Sequence, residues 1–109
     1  MSMEGHRDDS HRYNASFYKE QAAIADTWTK IEFIDHLGEQ FESMHIKLKA
    51  ISKDCYYSFD PREVDAAERT VQGLVKEGET VFLKDKHANE IYLMRSTINN
   101  ATLQVTTWR

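Results

Sequence analysis

The spacing of apolar residues over positions 16–52 is the feature that most constrains the fold of this chain. From Phe17 to Ile51, apolar and aromatic side chains recur at intervals of three and four residues, as they do along one face of an α-helix. No proline interrupts the segment, and Gly38 is its only glycine. The pattern therefore predicts either one long helix or two helices that bend or break near Gly38.

An unbroken helix over 16–52 would carry an apolar stripe about 50 Å long. The chain has 109 residues, which is the size of one domain and too small to cover such a stripe by itself. We therefore expect a protein partner to cover it, either a second copy in a homodimer or another protein. The predicted partner-binding residues are Ile24, Trp28, Ile31, Phe33, Phe41, Met44, Leu48 and Ile51. The alternative is that two shorter helices fold back and bury the stripe internally.

The second half of the chain predicts one more helix and then strands. Asp60 suits an N-cap, Pro61 suits a first helical position and Gly78 suits a C-terminal stop, so a helix is expected at about 61–77. Beyond it, stretches rich in Val, Ile and Thr predict strands at 80–84, 90–96 and 101–108 in a three-stranded antiparallel β-meander. The predicted fold class is α+β, with residues 1–15 as a flexible polar tail and 16–109 as a single domain.

The predicted meander has two faces of different character. The face expected to pack on the helices carries Val81, Leu83, Ile91, Leu93, Leu103 and Val105. The outer sheet face carries Phe82, Tyr92, Met94 and Trp108. Strands that face water usually alternate more cleanly between apolar and polar residues. We therefore expect this outer face to be partly covered by another element or to bind a partner.

Composition and charge exclude several classes of protein. The chain has 14 Lys and Arg residues against 18 Asp and Glu residues, which gives a net charge of −4. This charge argues against a protein whose whole surface binds phosphate groups. The single Cys55 permits no intramolecular disulfide and no multi-cysteine zinc site, so a reducing compartment is expected. The sequence contains no apolar run of membrane-spanning length and starts with polar and charged residues. These features predict a cytoplasmic protein with no membrane partner.

Catalytic and metal-binding patterns are weak. A cysteine nucleophile would need Cys55 beside His36, His45 or His87, and no glycine-rich elbow or oxyanion loop accompanies the cysteine. Glu42-x-x-His45 matches half of the motif that di-metal four-helix bundles use, but it occurs once. We therefore predict no enzymatic activity, no cofactor and no metal site.

Residues 66–94 resemble the third helix and β-wing of winged-helix domains, in which a helix ending T-V-x-x-L-V-x-E-G leads into a basic hairpin. The resemblance implies a DNA-binding transcriptional regulator that uses the 61–77 helix and the 84–90 hairpin. Its nucleic-acid contacts would be Arg62, Arg69, Gln72 and Lys76 on the helix, with Lys84, Lys86 and His87 in the wing. Acidic residues on the same helix would repel phosphates, so nucleic acid is the less favoured partner. The leading prediction is a small non-enzymatic protein–protein interaction protein, such as an adaptor, inhibitor, immunity-type protein or assembly factor.

Overall fold

A computed structural model of the chain describes residues 15–59 and 71–109, and these ranges are all-β. Their strands are β1 (Phe17–Ile24), β2 (Thr29–Glu32), β3 (His45–Ser52), β4 (Cys55–Ser58), β5 (Gly73–Val75), β6 (Thr80–Leu83), β7 (Glu90–Arg95) and β8 (Ala101–Trp108). They form two antiparallel sheets. The first sheet has the order β1-β8-β3-β6, and the second has the order β2-β7-β4-β5.

This strand order is that of a jelly roll, in which the first and last strands lie side by side and the chain crosses repeatedly between two sheets. Within the described ranges, β1 and β6 are the edges of the first sheet, and β2 and β5 are the edges of the second. Jelly rolls serve many unrelated functions, so the fold positions the functional site without naming its activity.

The long N-terminal helix, in one piece or two, is a wrong prediction, because residues 16–52 contain β1, β2 and β3. In β3, Ile46, Leu48 and Ala50 are fully buried, whereas Lys47 and Lys49 point away from the core. This period of two is the signature of a strand with one buried face. The apolar residues of this segment also fit the three- and four-residue spacing of a helix. The alternating lysines were the signal in the sequence that distinguishes a strand from a helix here.

A tight turn between β2 and β3 surrounds Gly38, whose φ of 85° is a conformation that glycine adopts without steric cost. The Gly38 N–H donates to the Asp35 carbonyl oxygen at 2.9 Å, and the Asp35 N–H donates to the Glu39 carbonyl oxygen at 2.8 Å. The Asp35 carboxylate accepts further bonds from the backbone N–H groups of Leu37 and Glu39. The chain therefore reverses at Gly38, but it does so between strands rather than between helices.

The predicted C-terminal strands are present as β6, β7 and β8, but their pairing as a meander is wrong. β7 lies in the second sheet between β2 and β4, and β8 lies in the first sheet between β1 and β3. Strand propensity identified these segments, whereas their partners come from distant parts of the chain. The residues predicted to point inward do so, since Ile91, Leu93, Leu103 and Val105 are fully buried and Val81 and Leu83 pack against the core, but they lie on two facing sheets and do not form one face that packs on helices.

Two other predictions fall partly or wholly outside the described residues. Most of the predicted tail (residues 1–14) and positions 61–70 of the predicted 61–77 helix lie there. The described end of that predicted helix contains β5, at Gly73–Val75. The α+β class is therefore wrong for the described chain, and its fold does not match the winged-helix resemblance.

The core lies between the sheets and contains side chains from both. Phe33, which follows β2, is fully buried, with its ring centroid 5.6 Å from that of Phe17 and 6.3 Å from that of Phe41. The other large, fully buried side chains of the core are Ile24, Ile46, Leu48, Val75, Ile91, Leu93, Leu103 and Val105. Most of the large apolar residues in the N-terminal half are thus buried in the core of the same chain.

Replacing Thr107 with valine is expected to stabilise the protein. Thr107 is fully buried in β8, and its Oγ1 has no hydrogen-bond partner among the described residues. Valine has nearly the same shape and removes the unsatisfied hydroxyl, so we expect a gain of about 1 kcal/mol in the free energy of unfolding. Urea denaturation of the two proteins measures this difference. A loss of stability would show that the hydroxyl is satisfied in solution.

Candidate functional site

The predicted partner-binding residues do not form one surface. Five of the eight belong to the core: Ile24, Ile31, Phe33, Phe41 and Leu48. Trp28 is half-buried just before β2, and Met44 and Ile51 are exposed near opposite ends of β3. Because the helix is absent, no continuous apolar stripe connects these side chains, and a helical interface is a wrong prediction for the described chain.

The predicted outer-face residues separate into two pairs. Phe82 and Trp108 lie on the first sheet with their ring centroids 5.9 Å apart. Tyr92 and Met94 lie on the second sheet, in β7. Tyr92 is buried and its hydroxyl donates to the Glu90 carboxylate at 2.6 Å. Only the first pair therefore includes a strongly exposed aromatic side chain.

We call the surface formed by His45, Lys47, Phe82 and Trp108 the β6 patch. Phe82 is 54% exposed, a large fraction for a phenylalanine. The Phe82 ring stacks on the His45 ring at 5.9 Å between centroids with 27° between planes. Lys47 is directly opposite Phe82 in the β3–β6 ladder. The patch combines exposed apolar area with a cation beside it.

A hydrogen bond fixes the His45 ring within the β6 patch. His45 Nδ1 accepts a hydrogen bond from the backbone N–H of Asp85 at 3.0 Å. Asp85 has a positive φ of 59° and lies in the turn that follows β6. The turn thus holds His45 against Phe82, and the aromatic surface is ordered before any partner arrives.

Lysines outnumber carboxylates around the β6 patch, where the turn after β6 also brings in the Asp85 carboxylate. Lys47 and Lys49 lie on β3, and Lys84 directly follows β6. Within residues 15–59 and 71–109, none of the three lysines forms an ion pair with a carboxylate. The whole chain has a net charge of −4, so the sign of this surface is opposite to that of the protein.

A polar cleft of about 430 Å³ lies between the β2–β3 loop and the β6–β7 loop. Its lining consists of Gln40, Phe41, Glu42, His87, Ala88 and Asn89. Ser43 ties the two loops together, because its hydroxyl donates to the Lys86 carbonyl oxygen at 2.7 Å and accepts from the Ala88 N–H at 3.2 Å. These two hydrogen bonds join the two loops that line the cleft.

Asp35 is the most strongly hydrogen-bonded carboxylate near this cleft. Bonds from the Glu39 and Leu37 backbone N–H groups, together with the Arg109 guanidinium at 3.2 Å, hold the pKa of Asp35 below its usual value. Arg109 also lies over the Phe41 ring at 5.0 Å from the centroid. These contacts hold Arg109 against the β2–β3 loop and stabilise the fold there.

The candidate nucleophile and metal ligands do not come together in the described chain. Cys55 is fully buried, and burial raises the pKa of its thiol to about 12, so the reactive thiolate is nearly absent at neutral pH. Glu42 lines the polar cleft while His45 faces Phe82, so the Glu42-x-x-His45 motif does not converge on one point. Residues 15–59 and 71–109 contain no group of three potential metal-ligating side chains.

The residues suggested by the winged-helix resemblance do not form one surface either. Arg62 and Arg69 lie outside the described residues. The Gln72 side chain accepts from the Phe59 N–H at 2.7 Å, and Lys76 lies in the turn before β6. The Lys86 ammonium lies 4.5 Å from the centroid of the Phe59 ring, whereas Lys84 lies beside the β6 patch.

Comparisons with known proteins identify no relative. No model of a known protein family, no curated protein and no solved structure shows a significant match to this chain. Across the described ranges, no helix has the length and apolar character needed to cross a bilayer. The geometry of the β6 patch is therefore the observation on which a functional argument depends.

Sequence reasoning identified part of this patch. Phe82 and Trp108 were predicted on an outer sheet face. His45 and Lys47 were missed as members, because only the β3–β6 register brings them beside Phe82. The alternation of His45, Lys47 and Lys49 with buried residues was the signal in the sequence for a shared outer face.

Proposed function

We propose that this protein is a small non-enzymatic binding protein that docks a protein partner on the β6 patch. It would act as an adaptor, inhibitor, immunity-type protein or assembly factor. The observation that supports this function is the exposure of Phe82 on a preformed aromatic surface, between His45 and Trp108. Aromatic side chains held in place before binding lose little conformational entropy and dominate the energetics of many interfaces.

The first test compares proteins captured by the wild-type chain and by Phe82→Ser from a lysate of the producing organism. Loss of an aromatic anchor at an interface centre typically costs about 2 kcal/mol, so we expect roughly thirtyfold weaker retention of the partner. Mass spectrometry identifies the retained proteins and measures their amounts. Phe82 lies outside the core and loses only its contacts with His45 and Trp108, so the melting temperature should change by no more than a few degrees.

The matched control is Ile98→Ser, which removes a side chain that is 88% exposed in the β7–β8 loop. This variant should retain the same partner as the wild type. If Phe82→Ser captures the same proteins in the same amounts as Ile98→Ser, the β6 patch is not the docking surface and the proposal fails.

Self-association and location stay predictions. We propose that the protein acts in the cytoplasm, on the basis of its single cysteine, Cys55, which is buried and free. A homodimer is the predicted form of self-association, and light scattering coupled to size-exclusion chromatography measures it. Nucleic acid remains the less favoured partner, because the chain as a whole is negatively charged.

A further inference from the structure

We infer that the partner segment docked on the β6 patch is an extended acidic peptide, which adds to the first sheet as an antiparallel strand along the free edge of β6. This inference rests on the proposed function and specifies the chemistry of the partner. Three features of the described residues support it. They are the unpaired edge of β6, the exposed aromatic side chain on β6, and the surrounding lysines, which have no carboxylate partner.

The strand edge supplies the backbone contacts. β6 pairs with β3 along one side, and within residues 15–59 and 71–109 no strand pairs with its other side. An edge strand presents N–H and C=O groups that another extended chain can pair with. Phe82 lies near the middle of this edge, so a strand added there would place its side chains directly beside the exposed ring.

The charges select an acidic occupant. Lys47 lies directly opposite Phe82 on β3, and Lys84 follows the last residue of β6 as the first residue of the turn. Both lysines are without a carboxylate partner in the described residues. A partner carboxylate would therefore form ion pairs without displacing existing ones, and long-range attraction would speed the encounter.

The register of an added strand predicts a sequence motif. In an antiparallel pair, residues directly opposite one another point to the same face. An apolar or aromatic residue opposite Phe82 would thus be preceded, two positions earlier, by a residue that lies near Lys84 at the end of β6. The motif is therefore Asp or Glu, any residue, then a bulky apolar residue.

Two other occupants match fewer of these features. A second copy paired through β6 would place Phe82 opposite Phe82 and bring lysines together, leaving their charge unmatched. A single-stranded nucleic acid would match the lysines and the rings, but it would leave the backbone groups of β6 unpaired. An acidic peptide satisfies the edge, the ring and the charge together.

The test selects binders to the full-length protein from a random-sequence peptide library. We expect enrichment of peptides in which Asp or Glu precedes a bulky apolar residue by two positions. Titration of one enriched peptide into labelled protein should shift the backbone amide resonances of β6 and its neighbours in an NMR spectrum. N-methylation of the peptide amide that faces β6 should weaken binding by roughly tenfold or more, because it removes a ladder hydrogen bond.

Charge reversal is the matched test of the lysines. Lys47→Glu combined with Lys84→Glu should weaken peptide binding roughly tenfold at low salt. Lys19→Glu combined with Lys30→Glu changes the net charge equally but lies on β1 and β2, and it should leave the affinity unchanged. Both double variants should keep the wild-type melting temperature to within a few degrees.

Each of the remaining outcomes overturns the inference in a recognisable way. Selected peptides without acidic enrichment, combined with partner capture that still depends on Phe82, would leave the proposed function standing and remove the acidic peptide. A concentration-dependent dimer abolished by Phe82→Ser would identify a second copy instead. Tighter binding of oligothymidine than of any selected peptide would identify nucleic acid. Failure of both the library and the Phe82-dependent capture would end the inference and the proposed function together.

Discussion

Leu48→Asp is expected to unfold the protein, whereas Ile51→Asp is expected to leave it folded. The Leu48 side chain is fully buried in β3 between the two sheets. A charged carboxylate there has no cation to pair with, and an unpaired buried charge costs several kcal/mol. Domains of this size have only about 5–15 kcal/mol of stability, so the loss is a large part of the total.

Ile51 is the control because it lies on the same strand but is 41% exposed. We expect its replacement to change the free energy of unfolding by less than about 1 kcal/mol. Thermal melts followed by circular dichroism compare the two variants with the wild type. Equal losses of stability would contradict the sandwich, since a helical stripe through both positions predicts similar behaviour for the two.

Phe33→Ala is expected to destabilise the protein by about 3–5 kcal/mol. Phe33 is fully buried, and its ring packs between those of Phe17 and Phe41, which come from β1 and from the segment before β3. Removing the ring leaves a cavity that these neighbours cannot close completely. Denaturation in urea gives the free energy of unfolding directly, and the slope with denaturant should stay similar to that of the wild type.

The control for this variant is Leu37→Ala, in the tip of the same loop. Leu37 is 71% exposed, so its truncation should cost less than about 0.5 kcal/mol. The sequence alone had predicted Phe33 as a partner-binding residue. If Phe33→Ala kept the wild-type stability and lost only partner binding, that prediction would be right and the core described above would be wrong.

The sequence predicted the C-terminal strands and their inward residues because their apolar positions alternate with a period of two. Ile91, Leu93, Leu103 and Val105 are fully buried as the rule predicts, but Tyr92, which the rule placed on the outer face, is buried as well. The rule acts within one segment and needs no knowledge of the rest of the chain. It could not predict that β8 pairs with β1 and β3, because those pairings join segments that are far apart in the sequence.

The N-terminal half was mistaken for helix because two periods fit the same residues. Phe41, Met44, Leu48 and Ile51 have helical spacing, while Ile46, Leu48 and Ala50 have strand spacing. The structure buries Phe41 and the second set, and it exposes Met44 and Ile51. Tertiary burial decides between the periods, and the choice depends on the facing sheet, which a local pattern does not contain.

The candidate site was only partly predictable for the same reason. Phe82 and Trp108 are both apolar residues on outward positions of strands, which the sequence showed. Their contact, and the place of His45 and Lys47 beside them, depends on the order β8-β3-β6 in the first sheet. The edge position of β6 is likewise a property of the whole topology.

The most direct test of this account is a map of cross-strand Hα–Hα nuclear Overhauser effects in the labelled full-length protein. The sheet order predicts contacts of β8 with both β1 and β3, contacts of β6 with β3 alone, and contacts of β7 with β2 and β4. Contacts that join β6 to β7 and β7 to β8, or sequential helical contacts through residues 16–52, would contradict the sandwich. They would also contradict the surface that Phe82 forms with His45 and Trp108, on which the proposed function depends.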